Sequence, residues 1–118
     1  MSDKISNDFK ILEKALDAAW LRNEVISQNI ANIDTPGYKR KTVVFEDYLN
    51  DAIDKVDSID IRVTQDNKNL SMRQDGNNVD IESEMASMAA NSIKYNTLVQ
   101  SLNAGFNRLK SVISEGRK

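Results

Sequence analysis

Residues 29–40 read NIANIDTPGYKR and contain the chain's single proline, Pro36, followed at once by Gly37. Proline pushes the residue before it out of the helical region, and Pro-Gly suits the two central positions of a type II turn. Two asparagines precede the turn, although asparagine is a poor residue inside a helix. A structural cap explains Asn32, whose amide can bond carbonyls freed at the helix end. It gives no reason for Asn29, so the stretch predicts a helix end, a tight turn and one unexplained amide.

Apolar residues before the turn recur at alternating steps of four and three. The positions are Ile5, Phe9, Leu12, Leu16, Ala19, Asn23, Ile26, Ile30 and Ile33. This 3.5-residue repeat places them on one narrow stripe of an α-helix, the pattern of a coiled-coil seam. We therefore expect a helix within residues 5–34, capped at Ser6 or Asn7, with about 29 residues and a length of about 43 Å.

The last third of the chain repeats the pattern. Its stripe consists of Ile81, Met85, Met88, Ser92, Tyr95, Val99, Leu102, Phe106, Leu109 and Ile113. Asp80 is a suitable N-cap, and the acidic Glu82 and Glu84 suit the first turn of a helix over residues 80–115. Asn23 and Ser92 interrupt the two stripes, and a buried polar residue in a seam fixes register at some cost in stability.

Residues 35–79 form a short segment of mixed character. Helical spacing runs from Phe45 to Val56, and apolar residues then alternate with polar ones from Ile59 to Val63, as in a strand with one buried face. Leu70 and Met72 could supply the partner strand of a hairpin. The predicted fold is mainly α, a single domain over residues 1–118. Its long N- and C-terminal helices pair as a coiled coil around a mixed helix/β-hairpin middle.

A second set of apolar or small residues lies beside each seam. It comprises Ile11, Ala15, Ala18 and Val25 in the first helix, and Ala86, Ala89, Ala90 and Ile93 in the second. Two interpretations are open. The alanines reflect helix propensity in a self-contained hairpin, or each helix is completed by other subunits.

Composition excludes several classes of function. The chain of 118 residues has no cysteine and no histidine, which removes disulfides, Cys/His metal sites, thiol nucleophiles and imidazole acid/base chemistry. With 16 basic and 18 acidic residues, the net charge of −2 argues against a phosphate-tracking nucleic-acid binder. No apolar stretch reaches the roughly 18 residues of a membrane span, and residues 1–14 do not resemble a secretory signal. We expect no catalytic, cofactor-binding or metal-binding residue.

The turn and the start of the last helix together resemble a known family. The turn residues Asn29, Ala31, Asn32, Thr35, Pro36, Gly37 and Tyr38 are similar to the N-terminal signature of bacterial flagellar rod, hook and hook-associated axial proteins. Residues 45–47 and 78–89 resemble the short proximal subunits of the flagellar basal-body rod, of which two related types remain open.

This resemblance implies a fold and a function. Axial proteins pair their terminal helices as a coiled coil and stack into a hollow tube, whose rod section transmits torque to the hook. The residues expected in the seam are Phe9, Leu12, Leu16, Ile26, Ile30, Met85, Met88, Tyr95, Val99, Leu102, Phe106 and Leu109. The turn is expected to contact neighbouring subunits. A soluble helical-hairpin adaptor or export chaperone is the alternative.

The resemblance also implies partners and a location. The expected partners are other rod subunits, the membrane-ring and rod-junction proteins, and the flagellar type III export apparatus. The protein would be exported without a cleaved signal and act in the periplasmic rod. Two short motifs each have more than one interpretation. Residues 39–41 form a solvated basic loop, or they face anionic lipid or an acidic neighbouring subunit. Phe45 and Leu49 are core residues or part of an export-recognition motif.

Overall fold

Two long helices form an antiparallel hairpin. The computed structural model describes residues 2–45, 60–65 and 76–116, with helix α1 at Ser2–Ala31 and helix α2 at Ile81–Gly116. Phe9 near the start of α1 stacks on Phe106 near the end of α2, with ring centroids 4.9 Å apart. The predicted pairing of long terminal helices is thereby confirmed. Because α1 already begins at Ser2, the predicted caps at Ser6 and Asn7 are wrong.

A short β-ribbon lies in the middle of the chain. Strand β1 (Lys41–Val44) pairs antiparallel with strand β2 (Arg62–Gln65), with Val43 opposite Val63. The alternating pattern correctly indicated β2, but its partner in the structure is β1, which no pattern indicated. The predicted partner strand at Leu70 and Met72 lies outside the described residues. Of the predicted helix from Phe45 to Val56 only Phe45 is described, and it is not helical.

The ribbon packs on α1 through β1 and through the residue after it. Phe45 is buried against Ala18, with Ile11, Ala15 and Ile61 around it. Small side chains on α1 leave room for this ring, so the second apolar set of α1 is covered by the chain's own segment. The same contact makes Phe45 a core residue. Val63, predicted to be buried, is 46% exposed, because β1 is the strand that packs against α1.

The inner stripe of α2 is rotated from the predicted one. Its buried and half-buried positions include Glu84, Met88, Asn91, Tyr95, Leu98, Leu102 and Gly105. Three of these coincide with the predicted seam, whereas Met85, Phe106 and Leu109 stay exposed and Val99 is half-buried. The buried polar residue is Asn91, not Ser92, because the Asn91 amide finds a backbone acceptor on α1 at 2.8 Å.

Gly105 marks a close approach of the two helices. A Cβ atom at this position would lie 3.1 and 3.3 Å from Cε1 and Cζ of Phe9. Glycine inside a helix is less favourable than alanine by about 1 kcal/mol, and the stacked aromatic pair explains why it is present.

We therefore predict that the effect of Gly105→Ala depends on Phe9. In the natural chain, contact with the ring offsets the gain in helix propensity, so the free energy of unfolding does not rise. In a Phe9→Ala background the same change raises it by about 1 kcal/mol. Thermal unfolding of the four variants, followed by circular dichroism, measures both effects. Equal stabilisation in the two backgrounds contradicts the prediction.

Candidate functional site

The turn after α1 is held by its backbone. The amide of Tyr38 donates to the carbonyl of Thr35 at 3.2 Å, and Gly37 has a φ of 73°. These features confirm the predicted type II turn, whose third position requires positive φ. The helix ends at Ala31, three residues before the predicted end at Asp34. Its last turn tightens instead, and the Ile33 amide bonds the carbonyl of Ile30 at 3.2 Å.

Asn32 caps the helix end locally. Its Nδ2 donates to the carbonyl of Gln28 at 2.8 Å, and its Oδ1 accepts from the hydroxyl of Thr35 at 3.1 Å. This is the structural role that the sequence indicated for Asn32.

Asn29 has a different role, and the structure supplies the missing explanation. Its side chain is fully buried, donates from Nδ2 to the carbonyl of Lys41 and accepts at Oδ1 from the Lys41 amide, both at 2.9 Å. The Asn29 amide therefore bonds both the N–H and the C=O of Lys41 in β1, as a residue of a neighbouring strand would. The hydroxyl of Tyr38 also donates to Asn29 Oδ1, at 3.1 Å. Asn29 fixes the start of β1 against α1.

A buried ion pair connects this group to α2. Glu84 is fully buried, and its Oε1 accepts from Nε of Arg40 at 2.7 Å. Its Oε2 accepts from Nδ2 of Asn29 at 3.3 Å. Desolvation, and secondarily the charge of Glu84, raise the pKa of Tyr38 above its ordinary value near 10. The basic cluster 39–41 is thus not simply a solvated loop, because Arg40 turns inward to the acid.

Asn77 completes the end of α1 from the other half of the chain. Its side chain is fully buried, and Nδ2 donates to the carbonyls of Asn32, Ile33 and Thr35 at 2.9, 3.0 and 2.8 Å. Its Oδ1 accepts from the amide of Val79 at 2.8 Å. The carbonyls of Asn32 and Thr35 also accept from the amides of Thr35 and Tyr38, so Asn77 adds a second donor to the turn and ties it to the segment before α2.

Two glycines let the segments on either side of the turn meet. Gly76 has a φ of 82°, and a Cβ there would lie 3.5 Å from the Cα of Gly37. Lys39 donates from Nζ to the carbonyl of Gly76, and the Arg40 amide donates to Oδ1 of Asn78 at 2.7 Å. We call the buried and half-buried group formed by Asn29, Tyr38, Arg40, Asn77 and Glu84 the turn lock.

Comparison with known proteins identifies the family. The family model described as flagella basal body rod protein matches residues 9–39, which include most of α1 and the whole turn. The flagellar basal body rod protein FlgB of Bacillus subtilis (strain 168) is 38% identical over 95% of this chain and 97% of its own length. FlgB of Borreliella burgdorferi is 34% identical over 78% of this chain and 87% of its own length. This chain belongs to the FlgB family of flagellar basal-body rod proteins.

As a FlgB-family member, the chain is a structural subunit of the flagellar basal-body rod, and the alternative of an adaptor or export chaperone is not supported. Rod subunits assemble with other rod components in the basal body. Neither helix in the described ranges is long and apolar enough to cross a membrane.

Apart from Asn32, which is half-buried and caps the helix end, the turn residues of the axial-family motif fall into two groups in the structure. Asn29 and Tyr38 belong to the turn lock, whereas Ala31, Thr35, Pro36 and Gly37 are exposed. Three members of the lock were not assigned to it from the sequence: Arg40, Asn77 and Glu84. The acidic residue in the first helical turn was visible, but only as a complement to the helix dipole.

The chemistry of the turn lock is that of a structural joint. Its carboxylate accepts from an arginine and an asparagine, and its amides bond to backbone groups. Within residues 2–45, 60–65 and 76–116, no group of three or more acidic, histidine or cysteine side chains is arranged to hold a metal ion.

Proposed function

We propose that this FlgB-family chain polymerises through its terminal helices as a subunit of the proximal rod, the hollow shaft that carries torque from the membrane ring to the hook. In this role the protein acts by shape and contact and performs no catalysis. Its function requires a hairpin of fixed geometry and surfaces that join it to neighbours.

The observation that carries the proposal is the exposed apolar surface of α2. Large side chains with at least half of their surface exposed are Met85, Ile93, Phe106, Val112 and Ile113. Phe106, Val112 and Ile113 share one side of α2 near its C-terminal end, on a molecule measuring 70 × 25 × 14 Å, whereas Met85 and Ile93 lie nearer its start. Extended apolar surface on an ordered chain is typical of a protein–protein contact. Removing it from water in the assembled rod would stabilise the polymer by roughly 25 cal/mol per Å² buried.

The seam residues divide between two proposed roles. Phe9, Leu12, Leu16, Ile26 and Ile30 on α1 are buried or half-buried, as are Met88, Tyr95, Val99 and Leu102 on α2. We assign these to contact within the subunit. The exposed Met85, Phe106 and Leu109 are assigned to contact between subunits, which explains why the apolar stripe is wider than one partner helix covers.

The turn is proposed to serve both roles. Its buried amides hold the hairpin, and the exposed Ala31, Pro36 and Gly37 face a neighbouring subunit. Asn29 and Glu84 connect α1, β1 and α2. A force applied to either helix would therefore be transmitted to the other, and the end of the hairpin near residues 35–38 would stay closed.

The proposed partners are other rod subunits, membrane-ring and rod-junction proteins, and the flagellar type III export apparatus. We place the subunit in the periplasmic section of the basal body, reached without a cleaved signal peptide. The cysteine-free sequence suits a chain that is exported unfolded, since no thiol can form a wrong disulfide afterwards.

A charge placed in the interhelical contact tests the proposal. Leu102 is half-buried on the inner stripe, and its neighbour Asn103 is exposed. Leu102→Asp should abolish swimming and incorporation into purified basal bodies, because a carboxylate would be forced against apolar side chains without a partner. Asn103→Asp adds the same charge one residue away and should leave both measurements near the natural level. Equal effects of the two variants would contradict helix-mediated assembly.

A further inference from the structure

A notch opens on the side of the hairpin about midway along it. Its walls are Ala19, Trp20 and Asn23 of α1, and Asn91, Tyr95 and Asn96 of α2. The cavity has a volume of about 240 Å³, large enough for a side chain.

One wall of the notch carries a buried acceptor without a donor. Asn91 is 5% exposed, and its Nδ2 donates to the carbonyl of Ala19 at 2.8 Å. Its Oδ1 is buried and has no hydrogen-bond partner in the described chain. A buried polar atom of this kind is destabilising unless something donates to it, and such atoms are rare in folded proteins. The notch is therefore incomplete in the single subunit.

The mouth of the notch favours a cation. Trp20 is 64% exposed, and its ring centroid lies 6.4 Å from that of Tyr95. Asp17 and Glu24, both exposed, lie three residues before and four residues after Trp20, on the same side of α1. An aromatic face flanked by carboxylates attracts a guanidinium, which can stack on the ring while its N–H groups reach an acceptor.

Arg108 has the properties of the missing donor. The other arginines in the described residues bond within the subunit: Arg22 to the carbonyl of Val43, Arg40 to Glu84, and Arg62 to Asp60. Arg108 is exposed and makes no hydrogen bond or ion pair to any residue that the structure describes. It lies 13 positions beyond Tyr95 on α2, about 20 Å along the helix, so a subunit cannot fill its own notch.

We propose that the notch of one subunit receives the Arg108 side chain of a second copy, with the guanidinium on Trp20 and, after a small rotation of the Asn91 side chain that turns Oδ1 toward the notch, an N–H donating to that oxygen. The proposal rests on the rod function above and names one contact of that assembly. Donor and notch are different surfaces of the same chain. The contact is therefore heterologous, the type that builds rings or open helical arrays rather than closed dimers.

Cysteine pairing tests this contact in the assembled rod, because the natural chain has no cysteine. Ser92 lines the notch, and Asn107 adjoins the donor; both are exposed. Cells expressing Ser92→Cys and Asn107→Cys on separate copies should yield a disulfide-linked dimer in oxidised basal bodies. Ser92→Cys with Ser114→Cys, at the far end of α2, is the matched control and should yield none.

Incorporation measurements separate this contact from the rod function itself. Trp20→Ala and Arg108→Ala should each lower the amount of subunit in basal bodies about tenfold, and the double variant should fall no further. Arg108→Lys should restore part of the loss, and thermal unfolding of the Trp20 variant should be unchanged. The contact would be overturned if both single variants incorporate normally and the cysteine pair forms no disulfide. The notch would then be filled by water and not by Arg108. Absence of the natural chain from basal bodies would overturn the rod function.

Discussion

Replacing Glu84 with alanine is expected to open the turn end of the hairpin and to lower the free energy of unfolding by about 3 kcal/mol. The change leaves Arg40, whose side chain is only 19% exposed, without its carboxylate. It also removes an acceptor of the fully buried Asn29. Breaking a buried pair on one side is costly because the remaining charge is desolvated and uncompensated. Thermal unfolding in a stabilising osmolyte, followed by circular dichroism, measures the loss.

A matched control separates the buried pair from general effects on the helix. Glu82 lies in the same first turn of α2 but is exposed, so Glu82→Ala should change the free energy of unfolding by well under 1 kcal/mol. Replacing both partners, as in Arg40→Met with Glu84→Leu, should recover part of the stability lost in Glu84→Ala. Similar losses for Glu82→Ala and Glu84→Ala would show that the pair contributes nothing specific.

Replacing Asn77 with alanine is expected to lower the free energy of unfolding by a comparable amount, about 3 kcal/mol. The variant leaves the carbonyls of Asn32, Ile33 and Thr35 without the shared donor, and the Val79 amide without its acceptor. Hydrogen exchange should show faster opening at residues 28–35 than in the middle of α1. That pattern would locate the damage at the end of the helix.

Asn77→Asp provides the sharper comparison. The aspartate keeps Oδ1 as an acceptor for the Val79 amide. Its second oxygen replaces the amide donor and faces the backbone carbonyl oxygens, so negatively charged atoms repel each other at a buried position. We expect it to be at least as damaging as alanine. If Asn77→Asp retains natural stability at neutral pH, the amide donor is not what holds the end of α1.

Local chemistry made the helices and the turn predictable. Pro36 and Gly37 restrict their own backbone, and the repeat of apolar residues indicates a helix whatever packs on it. The same reasoning failed wherever a partner lies far along the chain. Arg40 and Glu84 are 44 positions apart, so local patterns assign Arg40 to a basic loop that is solvated or faces lipid or an acidic neighbour, and Glu84 to a complement of the helix dipole.

The rotated stripe of α2 has the same origin. A pattern of apolar residues selects Met85 and Ser92 for the seam, yet Glu84 and Asn91 are buried because each finds a hydrogen-bond partner on another element. The family signature identified the importance of Asn29 but not its partners. Only the folded backbone places Lys41, Tyr38 and Glu84 around that amide.

The position of the turn lock along the chain has an evolutionary consequence. All five of its side chains come from residues 29–40 and 77–84, on either side of the span 46–75, and none lies within that span. Closing a longer loop between fixed ends adds only about 0.6 kcal/mol for each doubling of its length. Insertions and deletions in residues 46–59 and 66–75, outside β2 and Ile61, can therefore accumulate between the two halves of the joint while the hairpin keeps its geometry. We expect members of this family to differ in length in these segments while the two-helix hairpin stays the same.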